Sequence, residues 1–216
     1  MNKKLLEQRL ESYLKANPED SENLVRYAIF LHDEPSISDS NKSIDILTNL
    51  LNRDPQNIRA LLVLSDIQGS TKGKIDETTF NLLSNFQTKN SESLSMIEYL
   101  KARYYFDEDK KQRKQALVKS VRLCSKHVNN NKELGEIYIL DGEKSEGCAL
   151  IKRALKNILC ISPEVWPYIK KSVYITSVDN FIDYFIKGTY NTQSNLQNLG
   201  HLYITSCPIT MPPENF

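Results

Sequence analysis

The side chains best suited to chemistry in this sequence are three histidines, four cysteines and one glycine–lysine stretch, and their spacing limits what they can do. His32, His127 and His201 stand far apart and form neither an HExxH nor an HxH pattern, so they lack the register of metal ligands or of a base with its orienting partner. Isolated imidazoles of this kind are expected as ordinary surface or core residues. Cys124, Cys148, Cys160 and Cys207 contain no CxxC pair and no histidine in a zinc-finger arrangement. They are expected as reduced core thiols of an intracellular protein. "GSTKGK" (Gly69 to Lys74) shares only its composition with a phosphate loop: its glycines are one residue too close and Ile75 stands where a hydroxyl is needed, so it is expected as a connection between helices. No GxSxG, no GxGxxG and no carboxylate pair at metal spacing occurs. In "DEDKKQRK" (Asp107 to Lys114) the acids precede the bases, which suits a helix start, where the backbone dipole favours negative charge. The sequence therefore predicts no catalytic residue, no metal and no cofactor.

Composition narrows the class further. The chain has 216 residues, 40% hydrophobic and 25% charged, and a net charge of +1. That charge argues against a dedicated nucleic-acid binder, which carries a strong basic excess. Seven glycines and eight prolines suit a helical protein. "MNKKLLEQRLESYLK" has no unbroken apolar stretch after its lysines, and no run approaches the ~18–20 apolar residues of a membrane span. A soluble, cytoplasmic chain with no membrane partner is the expectation.

A repeat then orders the chain. Leu134-Gly135-x-x-Tyr138 recurs as Leu199-Gly200-x-x-Tyr203, with Leu and Tyr one turn apart on one helix face. Outward from these runs a ladder of first positions at Tyr27, Leu64, Leu100, Leu134, Lys170 and Leu199, with partners Leu31, Gln68, Tyr104, Tyr138, Tyr174 and Tyr203. Lys170 and Gln68 are the misfits. Second helices share a small-or-apolar pattern at steps of four and three: Gly147, Ile151, Ala154; Ser43, Leu47, Leu50; and Leu6, Leu10, Tyr13. The last two end at Pro55 and Pro18, residues that stop a helix.

These residues resemble the tetratricopeptide repeat, a helix–turn–helix unit of 34 residues with the pattern W-x2-L-G-x2-Y…A-x3-F…P. The match is best over Leu134 to Ala154, fair from Pro18 to Leu64, and weak around Thr71 to Asn90 and over Pro163 to Gly188. The resemblance implies an all-α fold, a right-handed superhelix of antiparallel helix pairs (an α-solenoid) with about eleven helices. It would form one domain over 1–216: a half repeat (1–17), stacked pairs (18–192) and a final helix with a Pro-containing tail (193–216). Pairs are expected to begin near Asp20, Asn57, Ser93, Asn130 and Pro163, with "HDEPSISDSN" (His32 to Asn41) as a second connection. Small residues such as Ala28, Gly135 and Gly147 would let paired helices approach closely. Single pairs cannot bury their apolar face, so they must stack. A rival for the carboxyl end is a pair of strands, "SVYITSV" and "HLYITSC", both β-branched and aromatic.

In the family so resembled, first helices line a concave groove that grips peptides or folded proteins. Carried over by position, the groove would be lined by Val25, Ile29 and His32, then Leu62 and Asp66, then Glu98, Ala102 and Tyr105. Further along come Lys132, Glu136 and Ile139, then Tyr168, Ser172 and Ile175, then Gln197 and His201. Some members hold a C-terminal carboxylate in a Lys/Asn clamp, but Val25 and Ile29 occupy the matching places, so this clamp is not expected. The resemblance implies a non-catalytic scaffold or adaptor with a protein or peptide partner. The alternatives are an immunity protein neutralising a toxin by direct binding, an RNA-binding helical repeat, or a small enzyme.

Overall fold

The computed structural model describes residues 3–161 apart from 33–36. Among them every regular element is an α-helix: α1 (Lys3–Ala16), α2 (Ser21–His32), α3 (Ile37–Arg53), α4 (Ile58–Lys72), α5 (Glu77–Asn85), α6 (Ser91–Tyr104), α7 (Lys110–Leu123), α8 (Val128–Leu140) and α9 (Lys144–Ile161). The expected first helices near Asp20, Asn57, Ser93 and Asn130 are α2, α4, α6 and α8, each found within about one turn of its predicted start. The pair expected from Pro163, the last half repeat, the tail and the rival strands lie outside the described residues.

Short polar side chains start these helices, because the first turn's amide N–H groups need acceptors. Asn57 accepts from the Ala60 amide and Asn90 from the Ser93 amide, each at 3.0 Å. Asp20, Asp76 and Asp109 serve α2, α5 and α7 in the same way. For Asp20 and Asp109 these amide bonds are the main reason the carboxyl lies below its ordinary range. Glycine ends two helices: Gly73 (φ 76°) and Gly142 (φ 90°) take left-handed conformations that a side chain would strain.

Contacts between the pairs establish their antiparallel course. Arg53 at the end of α3 reaches Pro18 O and Glu19 ahead of α2. Asn157 of α9 donates to Ser125 O and Lys126 O ahead of α8. Ser95 in the first turns of α6 and Ser120 in the last turn of α7 exchange hydroxyl-to-carbonyl bonds of 2.9 and 2.6 Å. In the α8–α9 seam the backbones themselves approach closely: a methyl added to Gly135 would lie 2.8 Å from Gly147 O, and one added to Gly147 would lie 2.6 Å from Gly135 O. In the α2–α3 seam Ser43 takes the equivalent place, donating to Ala28 O at 2.8 Å. Around these small residues Leu31, Leu47, Leu50, Leu61, Leu100, Leu117 and Ile151 are buried. Each contributes ~1.5–3 kcal/mol relative to an exposed position. The N-terminal half repeat α1 is tied to α2 and α3 by Tyr27, which donates to Glu11 at 2.6 Å and accepts from Lys42 at 2.8 Å.

Packing divides the chain within the last turn of α7, into Met1–Ser120 and Val121–Phe216. The helices of the first unit are α1 to α6 with most of α7; those described in the second are the end of α7, α8 and α9.

Both expected connections are shorter than the sequence suggested. α4 runs through Lys72, so Gly69 to Lys72 is helical and only Gly73 breaks it. Gly69 is a packing glycine, not a turn glycine: a methyl there would lie 2.3 Å from the Tyr104 ring. α3 begins at Ile37, so the serine-rich stretch up to Asn41 is helix. Within it Ser40 is buried and meets His32 of α2, and just beyond it Ser43 donates to Ala28 O. Gln68, the ladder misfit, is buried at 2% exposure and exchanges hydrogen bonds with Asp76, fastening α4 to the start of α5. The weakly repetitive stretch after Thr71 holds the shortest of the described helices, the nine-residue α5.

Candidate functional site

Within the first unit, α2, α4 and α6 bring several of the expected groove residues together. His32, the last residue of α2, has Nδ1 3.3 Å from Ser40 Oγ of α3 and Nε2 3.3 Å from Ser70 Oγ of α4. Asp66, one turn before Ser70, accepts from the Tyr104 hydroxyl of α6 at 3.2 Å. Burial pushes the Asp66 carboxyl above its ordinary range, against the Tyr104 hydrogen bond and the nearby charges of Arg103 and His32. Arg103 donates to the Tyr99 hydroxyl at 2.6 Å and lies over the Tyr99 and Tyr104 rings. At the other end of this face Arg59 of α4 pairs with Glu22 of α2. His32 is thus bridged by two hydroxyls, and Ser70 also donates to Ile67 O in its own helix. The bridge joins three helices. It does not align a nucleophile, a base and an orienting carboxylate in sequence.

The remaining candidates divide by burial. Val25 and Ala102 are buried at 1% and 0% exposure, and Leu62 at 8%, so they support the face from below. Ile29 is half-buried. Glu98 is buried and accepts from Lys101 at 3.2 Å and from Lys119 at 2.7 Å. Tyr105 is exposed at 37%, and its ring stacks on Phe80 with centroids 3.6 Å apart and planes 8° from parallel. Phe106 meets both rings edge-on, and the Tyr105 hydroxyl donates to Glu77 at 2.7 Å. Beside this stack a pocket of about 370 Å³ is lined by Lys74, Ile75, Asp76, Glu77, Tyr104 and Tyr105. In the second unit Lys132 and Glu136 face each other at 3.6 Å along α8, and Ile139 is half-buried one turn on. Tyr168, Ser172, Ile175, Gln197 and His201 lie outside the described residues.

Sequence spacing proposed Asp66, Tyr105 and His32 but did not single out residues beside them in the structure: Ser70, Arg103 and Phe80. One of these carried a usable signal: Ser70 lies one turn beyond Asp66 on the same helix. Phe80 sits in the weakest part of the repeat and had none. Of the other histidines, His127 is the residue before α8 and lies 3.2 Å from the Asn130 amide nitrogen, while His201 is outside the described residues. Cys124 and Cys148 are free thiols, the first buried and the second half-buried. Among the described residues no helix is long and apolar enough to cross a membrane.

No protein-family model and no curated protein sequence matches this chain. Solved structures do. A crystal structure of MamA is similar over 73% of this chain and 89% of its own, at 17% identity and a TM-score of 0.52. A MamA RS-1 ArsTM double mutant is similar over 72% of this chain and 84% of its own, at 14% identity and a TM-score of 0.53. At these identities the likeness is one of fold, and the fold it shows is an all-helical, TPR-like repeat of antiparallel pairs.

Proposed function

We propose that this chain is a non-catalytic interaction scaffold that binds a protein or peptide segment on the face of its first helices. The observation that carries this is the Tyr105 stack. An aromatic ring, pre-ordered by Phe80 and left exposed beside an open pocket, is the kind of rigid anchor that dominates protein interfaces. Beside it Glu77 is held by Tyr105 itself, and elsewhere in the same unit Asp66 is held by Tyr104 and His32 by Ser40 and Ser70. A partner therefore meets a face whose ordering entropy is largely spent on folding. The TPR-like fold supports the same reading, because such folds work by presenting a surface.

The test is affinity capture from source cells with the full chain, Tyr105→Ala and His32→Ala, each checked for helicity by circular dichroism. Loss of a central aromatic anchor costs ~2 kcal/mol or more, about a thirtyfold drop in affinity. One prey retained by the parent chain and lost from folded Tyr105→Ala is the expected result. Equal recovery of that prey by both folded variants overturns the assignment of the face.

A further inference from the structure

Helix α7, "KKQRKQALVKSVRL", carries six basic residues and no acidic one in a chain whose net charge is only +1. Its inward arc is used: Ala116, Leu117, Ser120 and Val121 are buried. At 100° per residue the opposite arc holds Lys111, Gln112, Gln115, Lys119 and Arg122, and all five are exposed. Its exposed positions are all polar and positive wherever they are charged; half-buried Val118 lies at its edge beside Lys111.

The three acids ahead of it, Asp107, Glu108 and Asp109, are fewer than its six cations. Asp109 accepts from the Lys111 and Gln112 amides and from the Gln112 side chain, and the Lys111 charge also acts on it. Asp107 pairs with Arg113 at 2.9 Å. Glu98 is shared between Lys101 and Lys119, two cations on one carboxylate, and the Lys119 side chain remains 63% exposed. Neither Lys111 nor Arg122 enters an ion pair among the described residues. Lys111, Gln115, Lys119 and Arg122 follow one another at steps of four, four and three, so the stripe repeats about every 6 Å along the helix.

We infer that this outer face of α7 docks an acidic segment of a protein partner, separately from the Tyr105 face. Charge complementarity selects an anion, and the rest of the arc selects the class. A membrane-surface helix inserts apolar or aromatic side chains beside its lysines, and here the intervening exposed positions are glutamines. Single-stranded nucleic acid is held by aromatic stacking platforms, and this arc has no aromatic residue. Glutamines that accept and donate between cations one turn apart fit a run of Glu or Asp side chains at helical spacing.

The test titrates the full chain, at low and at physiological salt, with three probes. They are a helical peptide bearing glutamates at every third or fourth position, a single-stranded oligouridylate, and phosphatidylserine vesicles. The expected result is peptide binding that weakens with salt, falls at least tenfold in Lys111→Glu/Arg122→Glu, falls less in Lys111→Gln/Arg122→Gln, and is unchanged in Tyr105→Ala. No peptide binding at low salt, equal binding by the charge-reversed variant, or tighter binding of oligouridylate or vesicles through the same residues overturns the proposal. Dependence of peptide binding on Tyr105 overturns the separation of the two faces.

Discussion

Replacing Gly147 by Ala tests the physical basis of the repeat. The added methyl would lie 2.6 Å from Gly135 O and 2.5 Å from Ile139 Cγ1, with Ile139 N at 3.0 Å. An isoleucine methyl can rotate away, but a helix carbonyl cannot. Restoring an ordinary contact of 3.4 Å to Gly135 O moves α8 and α9 apart by roughly 0.8 Å, a gap that forfeits about a quarter to a half of each dispersion contact across the seam. Overpacking of this kind costs ~1–3 kcal/mol. Against it stands the ~1 kcal/mol by which Ala exceeds Gly inside a helix. The net expectation is a loss of about 0–2 kcal/mol, read as a lower urea midpoint and a Tm lower by roughly 2–4 °C per kcal/mol. Gly147→Val gains less helix propensity and adds more bulk, so its loss is larger. The reasoning fails if Gly147→Ala raises stability by about 1 kcal/mol, since that is the response of an uncrowded helix position.

Two further outcomes follow from buried polar groups. Ser95→Ala and Ser120→Ala should each cost ~1 kcal/mol, and because the two hydroxyls lie 3.1 Å apart and bond each other's carbonyls, the double variant should differ from the sum by ~0.5 kcal/mol or more; additivity in urea unfolding speaks against one shared network. Asp66 has a carboxyl raised in the folded state, so its buried charge weighs against folding near neutral pH, and the weight is relieved as pH falls through its raised value towards the ordinary 3.8. Asp66→Asn should therefore gain stability relative to the parent chain at pH 7 and lose that advantage by pH 3, whereas an advantage independent of pH contradicts the burial.

Much of the architecture was legible because it is local. The starts of α2, α4 and α6 follow from Asx side chains placed before apolar helical periods, and that chemistry acts within four residues; α8 starts after His127, which makes no capping bond, and was placed by the repeat spacing alone. The Gly135–Gly147 contact was likewise readable, since a three-residue connection brings the pair together whatever the rest of the chain does. Where local signs pointed the wrong way, a partner from another helix decided. Gly69 and Ser40 read as turn chemistry, but the Tyr104 ring needs the missing side chain and the His32 imidazole meets the Ser40 hydroxyl.

The candidate face divides along the same line. Spacing pointed to a helical repeat, and the fold is one; the ladder set His32 and Asp66 on first helices and Tyr105 at the end of another, where it proves to be the residue that caps α6. Which of those side chains are buried supports and which are presented was settled only by packing between pairs. Val25 and Ala102 disappear beneath neighbours, while Tyr105 is propped outward on Phe80, a residue from a different helix in the least repetitive segment. Periodicity specifies the helix face a residue occupies; exposure depends on what stands across from it, and that is a property of the fold.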